Sequence, residues 1–499
     1  MKLTKLSLAC MATALSLPAL PALAATPQEN TLLEQLMARM EKLEARNAEL
    51  EKQVQELKGE SQAVAAGLES PRLSESEPEL TVRLKAVEKD QLNMKKAQKI
   101  AESLDGIQVS ASLATVAQRA SGLPQGIANG KSQLNYRADV SVELPLAPLG
   151  DIDHKLFAHV RMGQGLGLNE TYSNLGYFSS APNALAFRAS GLNPDDSVAI
   201  LGQAWYQAAI PLPYLGFKPY SRETLELTFG KMDIFGFFDQ NLGAGDESRQ
   251  FLNSVLVHNP LLDAAGEVGV DANGFQPGFV ASYLNATDKT QPWRLSLGLF
   301  GAGDRGSNYQ RSLSSPLVMV QAEKQLSFDG LLGNYRVYAW NRSQGVDFDG
   351  SEKRHTGVGL SIDQRVGDGI ILFSRYGKLL KGELPFNQTL TAGAEFNGSY
   401  WGRAADVIGV AGAWLKSGKS YRLAGAGGCV GGFDDLGNCL AGAFTYFPQG
   451  AEKVAEIYYR YRITPQFEIS PDVQFLSRGG ANPDAPSSRI FGLRANIAY

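Results

Sequence analysis

From about residue 107 to the C-terminus, the sequence repeats segments of roughly ten residues in which apolar and polar side chains alternate, each followed by a turn. The last segment shows the pattern in its apolar positions: Phe491, Leu493, Ala495, Ile497 and Tyr499. Successive side chains of a β-strand point to opposite faces, so each segment predicts a strand with one apolar and one polar face. Repeated over this length, the pattern favours a membrane barrel with lipid outside and water inside.

Counting these segments gives an all-β transmembrane barrel of about 16 antiparallel strands over residues 107–499, an even number as in single-chain bacterial barrels. The predicted strands lie near residues 107–117, 133–144, 154–163, 198–211, 223–230, 277–285, 293–301, 316–326, 333–341, 355–364, 369–378, 388–397, 406–415, 453–462, 465–476 and 487–499. Short and long connections alternate between them, as expected for periplasmic and extracellular ends. The longest connections are residues 164–197, 231–276 and 417–452.

The N-terminus predicts export. Lys2 and Lys5 precede an apolar run over residues 6–20 and the cleavage-site pattern Ala22-Leu23-Ala24, which is typical of a signal peptide over residues 1–24. An exported chain of amphipathic strands is expected in the outer membrane of a Gram-negative bacterium, where a closed barrel satisfies every backbone hydrogen bond. The formal net charge is −4 and no basic tract is present, so we expect no nucleic-acid partner.

Residues 30–58 follow a heptad pattern. The core positions are Leu33, Met40, Asn47 and Val54 at a, with Leu36, Leu43, Leu50 and Leu57 at d. Charged g-to-e′ pairs, such as Arg39 with Glu44, suit parallel helices, and the polar Asn47 is typical of a register-fixing position. We predict a trimeric coiled coil over residues 25–58 in the periplasm. The alternative is a lone amphipathic helix lying on the barrel.

The segment between the heptads and the barrel divides into two parts. Residues 59–79 are rich in Gly, Ser and Pro and predict a linker, and residues 80–106 predict a second helical segment. Bundling of the coil would hold three barrels side by side as a homotrimer. A second possibility is that the coil tethers the outer membrane to peptidoglycan or to a periplasmic protein.

Two cysteines remain after removal of the signal peptide. Cys429 and Cys439 lie in one Gly-rich loop, and an even pair in an exported chain favours a disulfide. The alternative is two unpaired thiols. A metal site needs more ligands than this loop offers, so we expect neither a metal nor a cofactor.

Strand parity predicts which side chains face the barrel interior. The inward set is Asn135, Arg137, Asp139, Ser141, Glu143, Lys155, His159, Arg161, Glu226, Arg294, Glu323, Arg336, Arg375, Glu395, Glu456, Arg460, Arg462, Glu468, Asp472, Gln474 and Arg494, with the aromatic residues Trp205, Tyr338, Trp340 and Tyr458. Both charge signs and aromatic faces suit polar, uncharged solutes such as sugars. The alternative is that these side chains pair with one another across neighbouring strands and only keep the interior wet.

Several blocks between residues 229 and 474 occur together. They are Phe229–Phe235 (FGKMDIF), Phe238–Asn241 (FDQN), Asp246–Phe251 (DESRQF), Asn259-Pro260, Tyr458–Pro465 (YYRYRITP) and Ile469–Gln474 (ISPDVQ). Together they resemble the carbohydrate-selective porin family (OprB-type), over residues 107–499. The N-terminal coiled coil is an addition to the pattern of that family.

The resemblance implies a passive, sugar-preferring channel of sixteen strands with loops folded into its lumen. Residues 231–276 are the candidate inward loop, with a short helix expected over residues 246–257. The candidate constriction residues are Asp239, Asp246, Glu247 and Arg249 on this loop, Arg137 and Arg161 on early strands, as the resemblance implies, and the inward-facing Arg336 and Arg460.

Other functions fit less well. An anion or phosphate porin needs a ladder of inward basic residues without interleaved acids, although a general or ion-selective porin remains an alternative. A hydrolase needs a Ser–His pair oriented by a third group. The four histidines, His154, His159, His258 and His355, lie in no recognisable nucleophile motif, so we expect no enzymatic activity.

Overall fold

The structure is a computed structural model. It describes Lys52 and residues 106–124, 131–187, 196–213, 221–264, 274–301, 315–367, 369–425, 429–430 and 444–499. The chain divides into two units, residues 1–94 and 95–499, and the described residues other than Lys52 lie in the second unit. The signal peptide, the coiled coil apart from Lys52, the linker and nearly all of the second helical segment therefore fall outside the described residues. So do Cys439 and the side chain of Cys429.

Sixteen of the described strands form a closed antiparallel barrel, which confirms the predicted barrel of about 16 strands. They are β1 (Gln108–Ser121), β2 (Ser132–Leu149), β3 (Ile152–Gln164), β4 (Val198–Leu212), β5 (Glu223–Asp233), β6 (Phe275–Asn285), β7 (Trp293–Phe300), β8 (Leu317–Phe328), β9 (Leu331–Val346), β10 (Glu352–Val366), β11 (Ile370–Lys381), β12 (Phe386–Asn397), β13 (Val407–Ser417), β14 (Ala451–Arg462), β15 (Phe467–Ser477) and β16 (Ser488–Ala498). Each strand pairs with its sequence neighbours. A separate two-stranded ribbon pairs Cys429–Val430 with Phe444–Thr445.

The barrel closes where the last strand meets the first. Strand β16 pairs with β1 from Ser112 opposite Ala498 to Ser121 opposite Arg489. The terminal Tyr499 extends this seam, because Ala111 and Tyr499 exchange backbone hydrogen bonds of 3.0 and 2.8 Å. Closure leaves no unpaired edge, which a sheet surrounded by lipid could not satisfy.

The predicted parity is also confirmed. On β2, the outward-facing Leu134 exposes 66% of its surface, whereas the inward-facing Asn135 and Arg137 expose 3% and 5%. A shift of one residue would exchange the two faces of a strand, so this burial pattern establishes the register. The barrel exterior is therefore apolar and its interior, called the lumen below, is polar.

The described parts of the connections contain three short α-helices: α1 (Asn169–Asn174), α2 (Ser254–Val257) and α3 (Lys419–Leu423). The expected helix over residues 246–257 is wrong in its extent, since only its last turn is helical. The backbone N–H groups of Leu252 and Asn253 donate to Glu456 on β14 at 2.6 and 3.0 Å, so they are satisfied outside a helix. Among the described residues, no helix is long and apolar enough to cross a membrane.

The two ends of the barrel differ. Short turns, such as Gly150-Asp151 between β2 and β3, lie at the end where β1 begins and β16 finishes, and long connections lie at the other end. Two of the long connections pack inside the barrel. Their apolar side chains form a cluster within the lumen that includes Leu168, Tyr172, Phe251, Val255 and Leu256, all fully buried. The interior is thus partly filled.

Candidate functional site

The connection between β5 and β6, described over residues 234–264 and at residue 274, enters the lumen as predicted, and its described part is called the inward loop. Its first attachment is Asp239, a predicted constriction residue. Asp239 accepts hydrogen bonds from Tyr338 Oη at 2.8 Å, Arg375 Nε at 3.1 Å and the backbone N of Asn259 at 2.7 Å. Its side chain is fully buried, so Asp239 fastens the loop to β9 and β11. The sequence predicted that Tyr338 and Arg375 face inward, but it did not predict that they anchor the loop.

The middle of the inward loop reaches the opposite wall. Gln250 Nε2 donates to Glu395 on β12 at 3.1 Å, and Asn253 Nδ2 donates to Gln474 on β15 at 3.0 Å. The backbone contacts with Glu456 on β14 lie between them. The loop therefore crosses the lumen and is held by wall side chains on both sides.

Three predicted constriction residues come together beside this loop. Arg137 Nη2 donates to Glu247 at 2.9 Å, and Arg137 Nε donates to Asp139 at 2.7 Å. Arg161 Nε also donates to Asp139 at 2.7 Å, and His159 shares a 2.7 Å hydrogen bond with the same carboxylate. The cluster carries two carboxylates against two guanidinium groups, so its charges compensate locally.

Glu247 stays ionised in this cluster. Burial opposes ionisation, but the nearby Arg137 and Arg161 outweigh this effect and lower the pKa of Glu247 to about 2. At neutral pH the loop thus places a fixed negative charge in the lumen, opposite the two arginines of β2 and β3.

The other loop candidates occupy a second region near β14 to β16. Arg249 Nε donates to Glu468 at 3.0 Å, and Arg460 Nη1 donates to the carbonyl oxygen of Arg249 at 3.3 Å. Asp246 accepts a hydrogen bond from the backbone N of Ser248 at 2.9 Å and so shapes the loop itself. The structure therefore divides the candidates between two sides of the inward loop.

Arg336 lies apart from both groups, on β9. Its guanidinium group donates to Asp363 at 2.7 Å and to Glu323 at 3.2 Å. Similar cross-strand pairs occur on the wall, for example Arg294 with Glu226 at 2.6 Å. The alternative that wall charges pair across strands therefore holds for these residues.

A cavity of about 460 Å³ lies between the inward loop and the wall. Its lining comprises Asp233, Phe235, Gly236, Asp239, Gln240, Asn241, Leu242, Gly245, Glu247, His258, Asn334, Arg336 and Arg375. Phe235 and His258 stack in parallel with ring centroids 3.7 Å apart. The cavity thus combines an aromatic face with charges of both signs, which is the set of groups that a polyhydroxylated solute needs.

A second inward connection was not predicted. The connection that leaves β3 is described over residues 165–187 and 196–197, and residues 165–187 fold into the lumen. Glu452 accepts hydrogen bonds from the backbone N of Phe178 and Ser179 at 2.7 and 2.8 Å, and Gln474 Nε2 donates to the carbonyl oxygen of Pro182 at 2.9 Å. The signal in the sequence was the apolar content of this segment, because a solvated loop would not carry so many aromatic and aliphatic residues.

Comparison with known proteins identifies the family of the chain. A profile described as "Carbohydrate-selective porin, OprB family" matches residues 133–499. The high-pH structure of Pseudomonas putida OprB superposes with a TM-score of 0.60 at 18% identity, covering 80% of this chain and 96% of that one. At this identity the superposition shows a shared fold. The comparison with curated proteins found no match.

Two other structures are more distant. The low-pH structure of P. putida OprB has a TM-score of 0.44 at 14% identity, covering 80% of this chain and 95% of that one. A mutant of Rh. blastica porin has a TM-score of 0.39 at 10% identity, covering 79% and 100%. The family match is the stronger finding, since it extends from β2 to the last residue. The chain therefore belongs to the carbohydrate-selective porin, OprB family, and is an outer-membrane channel protein of a Gram-negative bacterium and not an enzyme.

Proposed function

We propose that the lumen conducts small neutral sugars and other small polar solutes passively, and that the inward loop forms its narrowest part. The observation that carries this proposal is the cluster of Arg137, Asp139, Arg161 and Glu247, where both charge signs meet within hydrogen-bonding distance. A neutral solute finds donors and acceptors there, whereas an ion of either sign meets one repelling partner. Weak contacts of this kind at several points permit entry and release.

The cavity beside the inward loop supports the same solute class. Arg336 and Asn334 on β9 offer hydrogen-bond donors, and the stacked pair of Phe235 and His258 offers an apolar ring face. Sugars present hydroxyl groups on their edges and C–H groups on their faces, so they match both kinds of surface. We infer that solutes pause in this cavity during passage.

We predict that neutral sugars enter protein-containing liposomes faster than charged sugars of similar size. The physical reason is that a charged solute must leave water for a lumen in which opposite charges already compensate one another. Swelling rates in glucose, glucuronate and glucosamine solutions provide the measurement, with protein-free liposomes as the control. Equal or faster swelling in either charged sugar would contradict the sugar preference.

An anion-preferring channel is the second candidate, because several lumen arginines are incompletely paired. Within the described residues, the Nε atoms of Arg336, Arg460 and Arg494 have no hydrogen-bond partner. Phosphate accepts hydrogen bonds from such groups readily. If phosphate blocks ion current through single channels more strongly than glucose does, this candidate replaces the sugar channel.

We propose further that residues 25–58 assemble the protein as a homotrimer through the predicted periplasmic coiled coil. Removing these residues is expected to convert the trimer to monomers that keep a heat-modifiable barrel, because the Leu-rich heptads supply the contacts between chains. Native mass spectrometry of the intact and shortened proteins measures this. A monomeric intact protein would refute the coil, and an unchanged trimer after removal would assign assembly to the barrel and leave the coil for a periplasmic partner.

The cysteine pair is proposed to form a disulfide in an extracellular loop. Oxidising conditions after export and the proximity of Cys429 and Cys439 in sequence support it. Alkylation before reduction is expected to leave the intact mass unchanged, and alkylation after reduction should add two labels. Two labels without reductant would show free thiols. The variant Cys429→Ser is the matched control and should accept one label in either order.

A further inference from the structure

Five basic side chains project outward from neighbouring strands of the barrel. They are called the outer basic band and comprise Lys378 on β11, Lys416 on β13, Lys453 on β14, Arg489 on β16 and Arg119 on β1. Each shares its parity with exposed apolar residues, as Arg489 does with Phe491 and Leu493. The band therefore faces the membrane and not the lumen.

The five positions lie at nearly one level. A row of directly paired residues across neighbouring strands starts at Leu372, near the beginning of β11, and ends at Arg119, near the end of β1. The row therefore rises towards the barrel end with the long connections. Rows climb because the strands of such a barrel are tilted. Lys378 lies six residues farther along β11 than Leu372, towards the barrel end with the long connections. Lys378 and Arg119 therefore lie closer in height than Leu372 and Arg119, the two ends of the row. All five side chains thus stand near the end with the long connections.

Only one charge sign occurs on this face. Along β11 to β16 and β1, every outward position outside the band is uncharged except Lys381 at the end of β11, which is also a cation. Within the described parts of the chain, none of the five cations forms an ion pair. Inside the lumen, by contrast, most charges are paired. Charged side chains on the lipid side of a barrel are tolerated near the membrane surface and costly at its centre. The band is therefore placed at the level of the lipid headgroups.

A groove of about 660 Å³ borders the band on the outer surface. Its floor is a row of small residues on three adjacent strands, Ala392, Gly412 and Ala455. Bulkier side chains form its walls: Leu390, Trp414 and Phe475. Lys453 and Arg489 lie at its edge, so an apolar channel leads directly to two cations.

We propose that this face binds an acyl lipid of the outer leaflet whose headgroup carries two separated phosphates. The phosphates would contact Lys416, Lys453 and Arg489, and one acyl chain would lie in the groove. Lys416 and Arg489 are three strands apart, a separation of about 14 Å between their backbones, so one phosphate cannot serve both ends. Anionic headgroups recognise such clusters of basic residues at a membrane surface.

Charge complementarity favours this lipid over a twofold contact with a second copy of the chain. A twofold contact through the same face would bring the five cations opposite one another, and like charges destabilise an interface. An anionic headgroup neutralises them instead. Trp414 adds an amphipathic ring near the same level, as is usual at membrane surfaces.

The test uses the full-length protein in detergent, with lipid binding measured by native mass spectrometry. Diphosphoryl lipid A is expected to bind at least tenfold more tightly than the same lipid without phosphates. The triple variant Lys416→Gln/Lys453→Gln/Arg489→Gln should lose this difference. The matched control is Lys324→Gln, which removes an outward cation from β8 near the short-turn end and should leave binding unchanged. Heat-modifiable migration verifies folding of each variant.

A second variant tests the contribution of the groove to lipid binding independently of the charges. Ala455→Trp fills the groove while keeping the band, and it should weaken binding of diphosphoryl lipid A several-fold. Equal binding of phosphorylated and phosphate-free lipid by the wild-type protein overturns the proposal. So does undiminished binding by both variants. Loss of oligomers in the triple variant with unchanged lipid binding would assign the face to contacts between copies.

Discussion

Replacing residues 241–257 with a short Gly-Ser linker is expected to raise the single-channel conductance by roughly twofold or more, because a sixteen-stranded barrel without a filling loop encloses an aqueous channel. The ends of this segment already lie together, since Asp239 accepts a hydrogen bond from the backbone N of Asn259 at 2.7 Å. The linker therefore leaves the anchor formed by Asp239, Tyr338 and Arg375 in place. It removes the part of the loop that crosses the lumen.

The same change should relax the size limit for solutes. Planar-bilayer recordings measure conductance, and liposome swelling in maltose and maltotriose measures the size limit. The control is an equivalent Gly-Ser replacement of residues 287–291, in the turn between β6 and β7 at the opposite end of the barrel. Heat-modifiable migration on gels verifies that each barrel is folded. Unchanged conductance and size limit in a folded variant would show that the loop does not narrow the channel.

Glu247→Gln is expected to shift the ion selectivity of the channel towards anions. The substitution removes a charge that faces Arg137 at 2.9 Å, and it leaves two guanidinium groups opposed by one carboxylate. In a partly desolvated lumen the field of the unpaired charge is focused on passing ions. A change of about 1 kcal/mol in the free energy of an anion there would alter its relative permeability roughly fivefold.

Asp246→Asn provides the matched control, because it removes the same charge one residue away. Asp246 accepts hydrogen bonds from Ser248 and forms no ion pair among the described residues, so its removal should shift selectivity less. Reversal potentials in a KCl gradient measure both variants, and the double variant should shift at least as far as Glu247→Gln. The shifts should shrink at high salt because of screening. Equal shifts in both single variants would show that the pair with Arg137 has no special role.

The strands and the face on which each side chain lies were predictable from the order of apolar and polar residues along the chain. Alternation with a period of two directly reports which side chains share a face, and the need to bury one face in lipid makes the register unambiguous. Leu134 and Arg137 therefore lie on the faces expected of them. The family resemblance, carried by blocks such as Phe238–Asn241, was confirmed by the match over residues 133–499.

The contents of the lumen were less predictable. A loop gives no periodic signal, so its path depends on which wall side chains can satisfy its backbone. Glu452 and Glu456 do this here, by accepting backbone N–H groups from two different connections. The sequence identified Glu456 only as inward-facing and did not distinguish its role from that of its neighbours.

The role of Asp239 shows the same limit. Its place in a charged loop suggested a residue at the constriction, but Asn259, Tyr338 and Arg375 all donate hydrogen bonds to its carboxylate, and its side chain is fully buried. A buried carboxylate is stable only when its hydrogen bonds are satisfied, so Asp239 fastens the loop. Glu247, eight residues later, is instead the loop charge that meets Arg137 and Arg161 in the lumen.

The sequence by itself determined the sheet, the strand count and the side of the wall on which each residue lies, because these follow from contacts between neighbours along and across strands. Only the tertiary structure decided which inward charges meet across the lumen and which outward cations share one level. Both depend on strand tilt and on loops that return from distant positions, and neither leaves a local pattern. The cluster of Arg137 with Glu247 joins residues 110 positions apart and exists only after the barrel has closed.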